Sequence, residues 1–183
     1  MDSILHEAEL LDIVRLAVQR GPFTMKDGTP TSFFVNGRVI TSNPLALTAV
    51  ARRMIEHIEE DGAHAVAGED TGATSIISAL LVLAQLERKP LHGVYIRKAS
   101  KAHGINGLVD TSIQAGKRYV LVDDVSSSGD TLIRCLSLIK EKGAAVELAI
   151  TVVDRERGAK EKLRRAGVNL ISLYQINDLL LSE

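Results

Sequence analysis

Two aspartates in succession, Asp123 and Asp124, close an apolar run, and Ser126, Ser127, Ser128 and Gly129 follow them in the segment YVLVDDVSSSGDT over 119–131. Small residues after a strand let backbone amides crowd inward, serine hydroxyls add donors, and the amino end of the next helix adds partial positive charge, so this turn suits a phosphate. The paired carboxylates repel that same phosphate. They suit the vicinal hydroxyls of a ribose, or a divalent cation. Upstream, VYIRKASKAHG over 94–104 gathers Arg97, Lys98, Lys101 and His103 within seven residues. By charge alone this is either a solvated basic loop or a weak nucleic-acid patch without aromatic partners. A third segment, GEDTGAT over 68–74, also presents glycines between a strand and a helix, but it lacks the glycine–lysine pair of a nucleotide-triphosphate loop.

These groups need a scaffold, and the apolar periodicity supplies one. Ile4, Ala8, Leu11, Val14 and Val18 recur at helical spacing until Gly21 and Pro22 interrupt, which predicts an amphipathic first helix. Two β-prone runs between Phe23 and Ile40 flank the turn residues Lys26 to Pro30, which predicts a hairpin-like lobe. Asn43 followed by Pro44 predicts a capped helix start, and that helix runs to Gly62. From Ala63 onward short apolar runs alternate with helical stretches: 65–67, a helix after Gly72, 93–96, 119–122, a helix after Gly129, 148–153, a helix over 156–166 and a strand over 169–173. Such alternation predicts a mostly parallel sheet covered on both faces. The polar stretch Lys98 to Thr111 breaks the pattern and predicts a long mobile loop.

Composition narrows the class. The 183 residues are 45% hydrophobic and 25% charged with a formal net charge of -1, which fits one globular domain and argues against a general nucleic-acid binder. No apolar run reaches the ~20 residues of a membrane helix, and the first residues lack the pattern of a secretion signal, so a cytoplasmic location is expected. Cys135 is the single cysteine and lies among Leu132, Leu136 and Ile139, where a buried role is expected. His6, His57, His64 and His92 fall at no metal-ligand spacing.

Taken together, four segments in order resemble the type I phosphoribosyltransferases, and among them the orotate enzymes. YVLVDDVSSSGDT resembles the family's phosphoribosyl-diphosphate motif, with serines at 127 and 128 where threonines are commoner. The resemblance implies that Val125, Ser126, Ser127, Ser128, Gly129, Asp130 and Thr131 surround the 5-phosphate while Asp123 and Asp124 hold the ribose hydroxyls. RKASKAHG resembles the catalytic loop of orotate phosphoribosyltransferases. This implies that Arg97, Lys98, Lys101 and His103 serve phosphoribosyl diphosphate (PRPP), with Lys101 and His103 on the departing pyrophosphate, and that the loop reaches the neighbouring site of a homodimer. GEDTGAT stands at the pyrophosphate loop, which assigns Thr71 and Gly72 to PRPP. Here Thr71 replaces a lysine found in some members, and Glu69 and Asp70 add negative charge that Mg²⁺ is expected to offset. FTMKDGTPTSFFVN over 23–36 is similar to the segment framing the base, with Lys26, which the resemblance assigns to PRPP as well, and Phe34 matching and Val35 replacing a second aromatic. VVDRERG over 152–158 resembles the segment whose arginine meets orotate, which gives that role to Arg155; by itself it is an arginine at a helix start. Ser127 joins the expected orotate contacts.

The expectation is therefore an α/β chain of the type I phosphoribosyltransferase fold: a single domain over 1–183, with a central mostly parallel sheet and a small N-terminal hood that 22–42 help to build. It would transfer phosphoribosyl from PRPP to orotate, with Mg²⁺, and without nucleic-acid or membrane partners. No decarboxylase domain follows the matched stretch, so the single-activity form is expected. Alternatives are transfer to another base, or a PRPP-binding regulator that no longer turns over.

Overall fold

The computed structural model describes residues 5–25, 28–99, 108–109 and 112–181. Strands β3 (Ala65–Glu69), β4 (His92–Ile96), β5 (Arg118–Ser126), β6 (Ala145–Asp154) and β7 (Asn169–Gln175) form a parallel sheet in the order β4-β3-β5-β6-β7. Between β3 and β4 lies α4 (Gly72–Leu86), after β5 comes α5 (Asp130–Glu141), and after β6 comes α6 (Ala159–Arg165). From β3 the chain steps one way to β4, whereas β5 lies on the other side of β3. Right-handed crossovers in opposite directions put α4 on one face and α5 and α6 on the other.

The two cores record this alternation. Along β5, Val120 and Val122 enter the core with Ile76, Ile77 and Leu80 of α4, whereas Tyr119 and Leu121 enter the core with Leu132, Cys135, Leu136 and Ile139 of α5. Period-two burial on both faces is what covered parallel strands require. Cys135 is buried as expected, and burial pushes its thiol up to about 12.

The first core also takes α3 (Pro44–Asp61), which begins and ends as the sequence predicts. Asn43 accepts hydrogen bonds from the amides of Leu45 and Ala46 at 3.0 and 3.1 Å, and Gly62 closes the helix at φ 72°. The amino-terminal region differs from expectation. Helix α1 (Glu7–Leu16) stops before Gly21, and Val18 opens strand β1 (Val18–Thr24), which pairs antiparallel with β2 (Pro30–Val35). Val18 suits either period; its pairing with Val35 decides the matter, and Gly21 and Pro22 sit in an irregularity of the ladder rather than at a helix stop. A short helix, α2 (Gly37–Thr41), replaces the end of the expected β-prone run, and α7 (Ile176–Leu180) occupies the expected tail. Arg53 binds α1 to the sheet through an ion pair with Glu7 and a 3.1 Å bond to the hydroxyl of Tyr174.

Candidate active site

Between β3 and β5 the chain changes direction across the sheet, and open α/β sheets bind ligands outside the carboxyl ends of strands at such a point. The β3–β5 ladder ends at Ala67 and Leu121, so Glu69–Asp70 and Asp123–Ser126 continue without each other as ladder partners at the carboxyl end, where the crevice of such sheets lies. Both small-residue segments singled out in the sequence open here.

Asp123 and Asp124 lie within β5, which extends past them to Ser126 rather than ending at Val122. Asp123 is 8% exposed and accepts from the amide of Asp124 at 3.0 Å, while Asp124 accepts from the amide of Val125 at 2.8 Å. Burial, and then the adjacent charge of Asp124, hold the Asp123 carboxyl well above the usual carboxylate range. Glycines allow neighbouring backbone to reach the pair. A Cβ on Gly72 would lie 2.5 Å from Asp124 Oδ1 and 2.6 Å from Asp123 Oδ1, and one on Gly37 would lie 2.7 Å from Asp124 Cγ. The start of α4 and the start of α2 thus both close on the aspartates.

Loop 127–129 follows directly. Gly129 adopts φ 79°, and a Cβ there would come within 3.0 Å of the Ala159 backbone, so glycine is required twice over. The loop is fastened to the β6–α6 connection: Arg155 N donates to Ser126 O at 2.9 Å and Ala159 N to Ser127 O at 3.0 Å. The three serine hydroxyls are not equivalent, contrary to expectation. Ser126 is buried and donates to Asp154 Oδ1 at 2.9 Å, so it stiffens the loop, while Ser128 donates to Asp130 at 2.6 Å and Ser127 is half-buried at the turn. Thr131 lies in the first turn of α5.

The segment after β3 is less negative than its sequence suggests. Glu69, 3% exposed, is ion-paired with Arg134 of α5, which raises the Arg134 pKa further, and Asp70 accepts from the hydroxyl of Thr74. Thr71 is exposed and receives a 3.1 Å bond from Arg38 Nη2, a contact that no motif announces. Among the described residues no three His, Cys, Asp or Glu side chains converge as a metal cage. The paired aspartates nevertheless suit a hard cation that brings most of its oxygen ligands with it.

Arg155 is buried and lies 5.0 Å from the centroid of Phe33, donating to Phe33 O at 3.4 Å, and its Nε has no partner. Burial, then the charge of Arg157, lower its pKa. The expected base-facing pair is divided: Val35, 5% exposed, belongs to the core, and Phe34, 44% exposed, packs on Phe23 with centroids 5.8 Å apart. Strand alternation is the reason, because Thr31, Phe33 and Val35 share the inward side of β2 and Phe34 lies on the other. Arg97 and Lys98 follow β4, and Arg97 N donates to Leu108 O at 2.6 Å beside an Ile96–Val109 bridge. Lys26, Lys101, His103 and most of the loop 98–111 lie outside the described residues.

The profile of the phosphoribosyl transferase domain matches residues 38–173. The orotate phosphoribosyltransferase of Bradyrhizobium sp. (strain ORS 278) is 31% identical over 185 residues, covering 98% of this chain and all of that protein. The solved orotate phosphoribosyltransferase of Mycobacterium tuberculosis H37Rv, in complex with Fe(III) dicitrate, superposes with a TM-score of 0.79 at 29% identity, covering 95% of this chain and 98% of that one. Its complex with 5-phospho-alpha-D-ribosyl 1-diphosphate superposes with a TM-score of 0.76 at 25% identity, with the same coverage.

Proposed function

The chain belongs to the phosphoribosyl transferase domain family, within the orotate phosphoribosyltransferases, and on that premise we propose which of its residues carry the reaction. The enzyme transfers phosphoribosyl from PRPP to orotate, giving orotidine 5′-phosphate and pyrophosphate in pyrimidine biosynthesis. The observation that carries the assignment of residues is the meeting of Asp123, Asp124, Gly72 and the 127–129 turn at one switch point.

In this reading the amides of 127–129, with Val125, Asp130 and Thr131 around them, hold the 5-phosphate. Asp123 and Asp124 accept from the two ribose hydroxyls, which fixes the sugar while C1 becomes oxocarbenium-like. Gly72 and Thr71 face the diphosphate, and Lys26, Arg97, Lys98, Lys101 and His103 draw its developing charge. Arg155, with its unpartnered Nε, presents donors to the orotate carboxylate; Phe33 backs it from the hood, beside Phe34 and Ser127. A ring nitrogen then attacks C1 from the face opposite the diphosphate. Asp123 and Asp124 would stand nearest a Mg²⁺ brought in mainly by PRPP, and that ion would supply charge to offset the diphosphate. Positioning and preorganised charge carry the rate.

The same reading makes residues 1–183 one domain whose hood draws on 22–42, and the active form a cytoplasmic homodimer in which the basic loop serves the neighbouring site. None of the described helices is long and apolar enough to cross a membrane. The direct test is the fall in orotate absorbance after PRPP and Mg²⁺ are added. An unchanged spectrum, alongside turnover of another base, would reject orotate as the acceptor.

A further inference from the structure

We infer that Arg38 is a ligand of the diphosphate, supplying to the 68–74 loop the cation that this loop lacks. The inference rests on the reading of that loop as the diphosphate cradle. The loop offers amides, two hydroxyls and two carboxylates, but no lysine or arginine. Its carboxylates are committed elsewhere: Glu69 is buried against Arg134, and Asp70 holds the hydroxyl of Thr74. Arg134 is likewise committed, by its ion pair with Glu69 behind the loop. The exposed tip, Thr71, is met by Arg38 Nη2 at 3.1 Å, from a residue 33 positions earlier in the chain.

Arg38 is delivered there by packing that the aspartates dictate. Gly37 is buried with its backbone against Asp124, so the first turn of α2 is pinned at the crevice, and Arg38, the next residue, projects to the exposed side of it. Asn36 fixes that turn by accepting from the Arg38 amide at 3.2 Å. A guanidinium has five donors in a planar fork, and a bond to one hydroxyl leaves the others for phosphate oxygens. A bond between an exposed arginine and an exposed threonine stabilises a fold very little, whereas a permanent cation beside a diphosphate acts directly on ligand affinity.

The test compares wild type, Arg38→Gln and Arg38→Lys by calorimetric titration with inorganic pyrophosphate plus Mg²⁺ and, separately, with ribose 5-phosphate. Loss of a charged donor predicts pyrophosphate affinity roughly 10- to 100-fold weaker in Arg38→Gln, ribose 5-phosphate affinity within about twofold of wild type, and partial recovery in Arg38→Lys. Unchanged pyrophosphate affinity in Arg38→Gln, with wild type binding both ligands, overturns this inference and leaves the phosphate-loop reading intact. Equal loss of both ligands marks general damage and also overturns it. Wild type that binds neither ligand overturns the reading of both loops together.

Discussion

Burying one of two adjacent acids within β5 is costly and the neighbouring charge adds to that cost, as the raised pKa of Asp123 shows. A carboxyl whose folded pKa exceeds its unfolded value contributes fully only below the ordinary value, about 3.9, and stability falls as pH rises from there toward the folded pKa. Asp123→Asn should therefore melt at a higher temperature than wild type at pH 7–8, with the gap closing toward pH 4, while turnover falls by at least about tenfold because a neutral amide replaces a charged ribose acceptor. Thermal melts across pH and steady-state assays measure both. Lys101→Ala should lower kcat ~100- to 1000-fold with an unchanged melting temperature, as expected for one donor to developing charge. Unchanged turnover would remove the basic loop from the mechanism. At this scale the sequence was informative where neighbours in the chain act together, as in Asp123–Gly129. It was silent where partners are distant: Arg38 finds Thr71, and Glu69 finds Arg134 across 65 positions, and neither pairing leaves a local pattern.

Helix α3 is the element whose limits follow most directly from residue type, because its cap, its first-turn proline and its terminal glycine each satisfy or omit backbone groups at a defined position. Asn43→Ala should cost about 1 kcal/mol, or roughly 2–4 °C in melting temperature, with kcat unchanged, since the Asn43 side chain bonds the amides of Leu45 and Ala46 at the start of its own helix. Chemical denaturation and an activity assay check this. Elements that depend on tertiary partners were harder to read. Val18 fits a helix by spacing and a strand by pairing, and only the distant Val35 selects the strand. Five-residue α2 and α7 are too short for any period to declare itself. Divided placement of Phe33, Phe34 and Val35 follows from strand alternation once the register with β1 is known, and that register is not written in the hairpin turn.

For the whole molecule, the parallel sheet and its two covered faces were legible because both periods, two and 3.6, recur with short connections. How two copies would share their loops belongs to no single chain. Were the basic loop to serve the neighbouring site, a mixture of inactive Lys101→Ala and inactive Asp124→Asn chains would form hybrids with one intact site, and random exchange would restore about a quarter of wild-type activity. Activity of the mixture after refolding together, against each variant alone, measures it; no recovery would mean that each chain completes its own site.

The clasp at the base of the basic loop, where Arg97 meets Leu108 and Ile96 meets Val109, has a thermodynamic corollary. Because the two ends of that excursion are already stitched to each other, doubling the span between them costs only about 0.6 kcal/mol of closure entropy. Lengthening the chain between those ends should therefore lower the melting temperature by only about 1–2 °C.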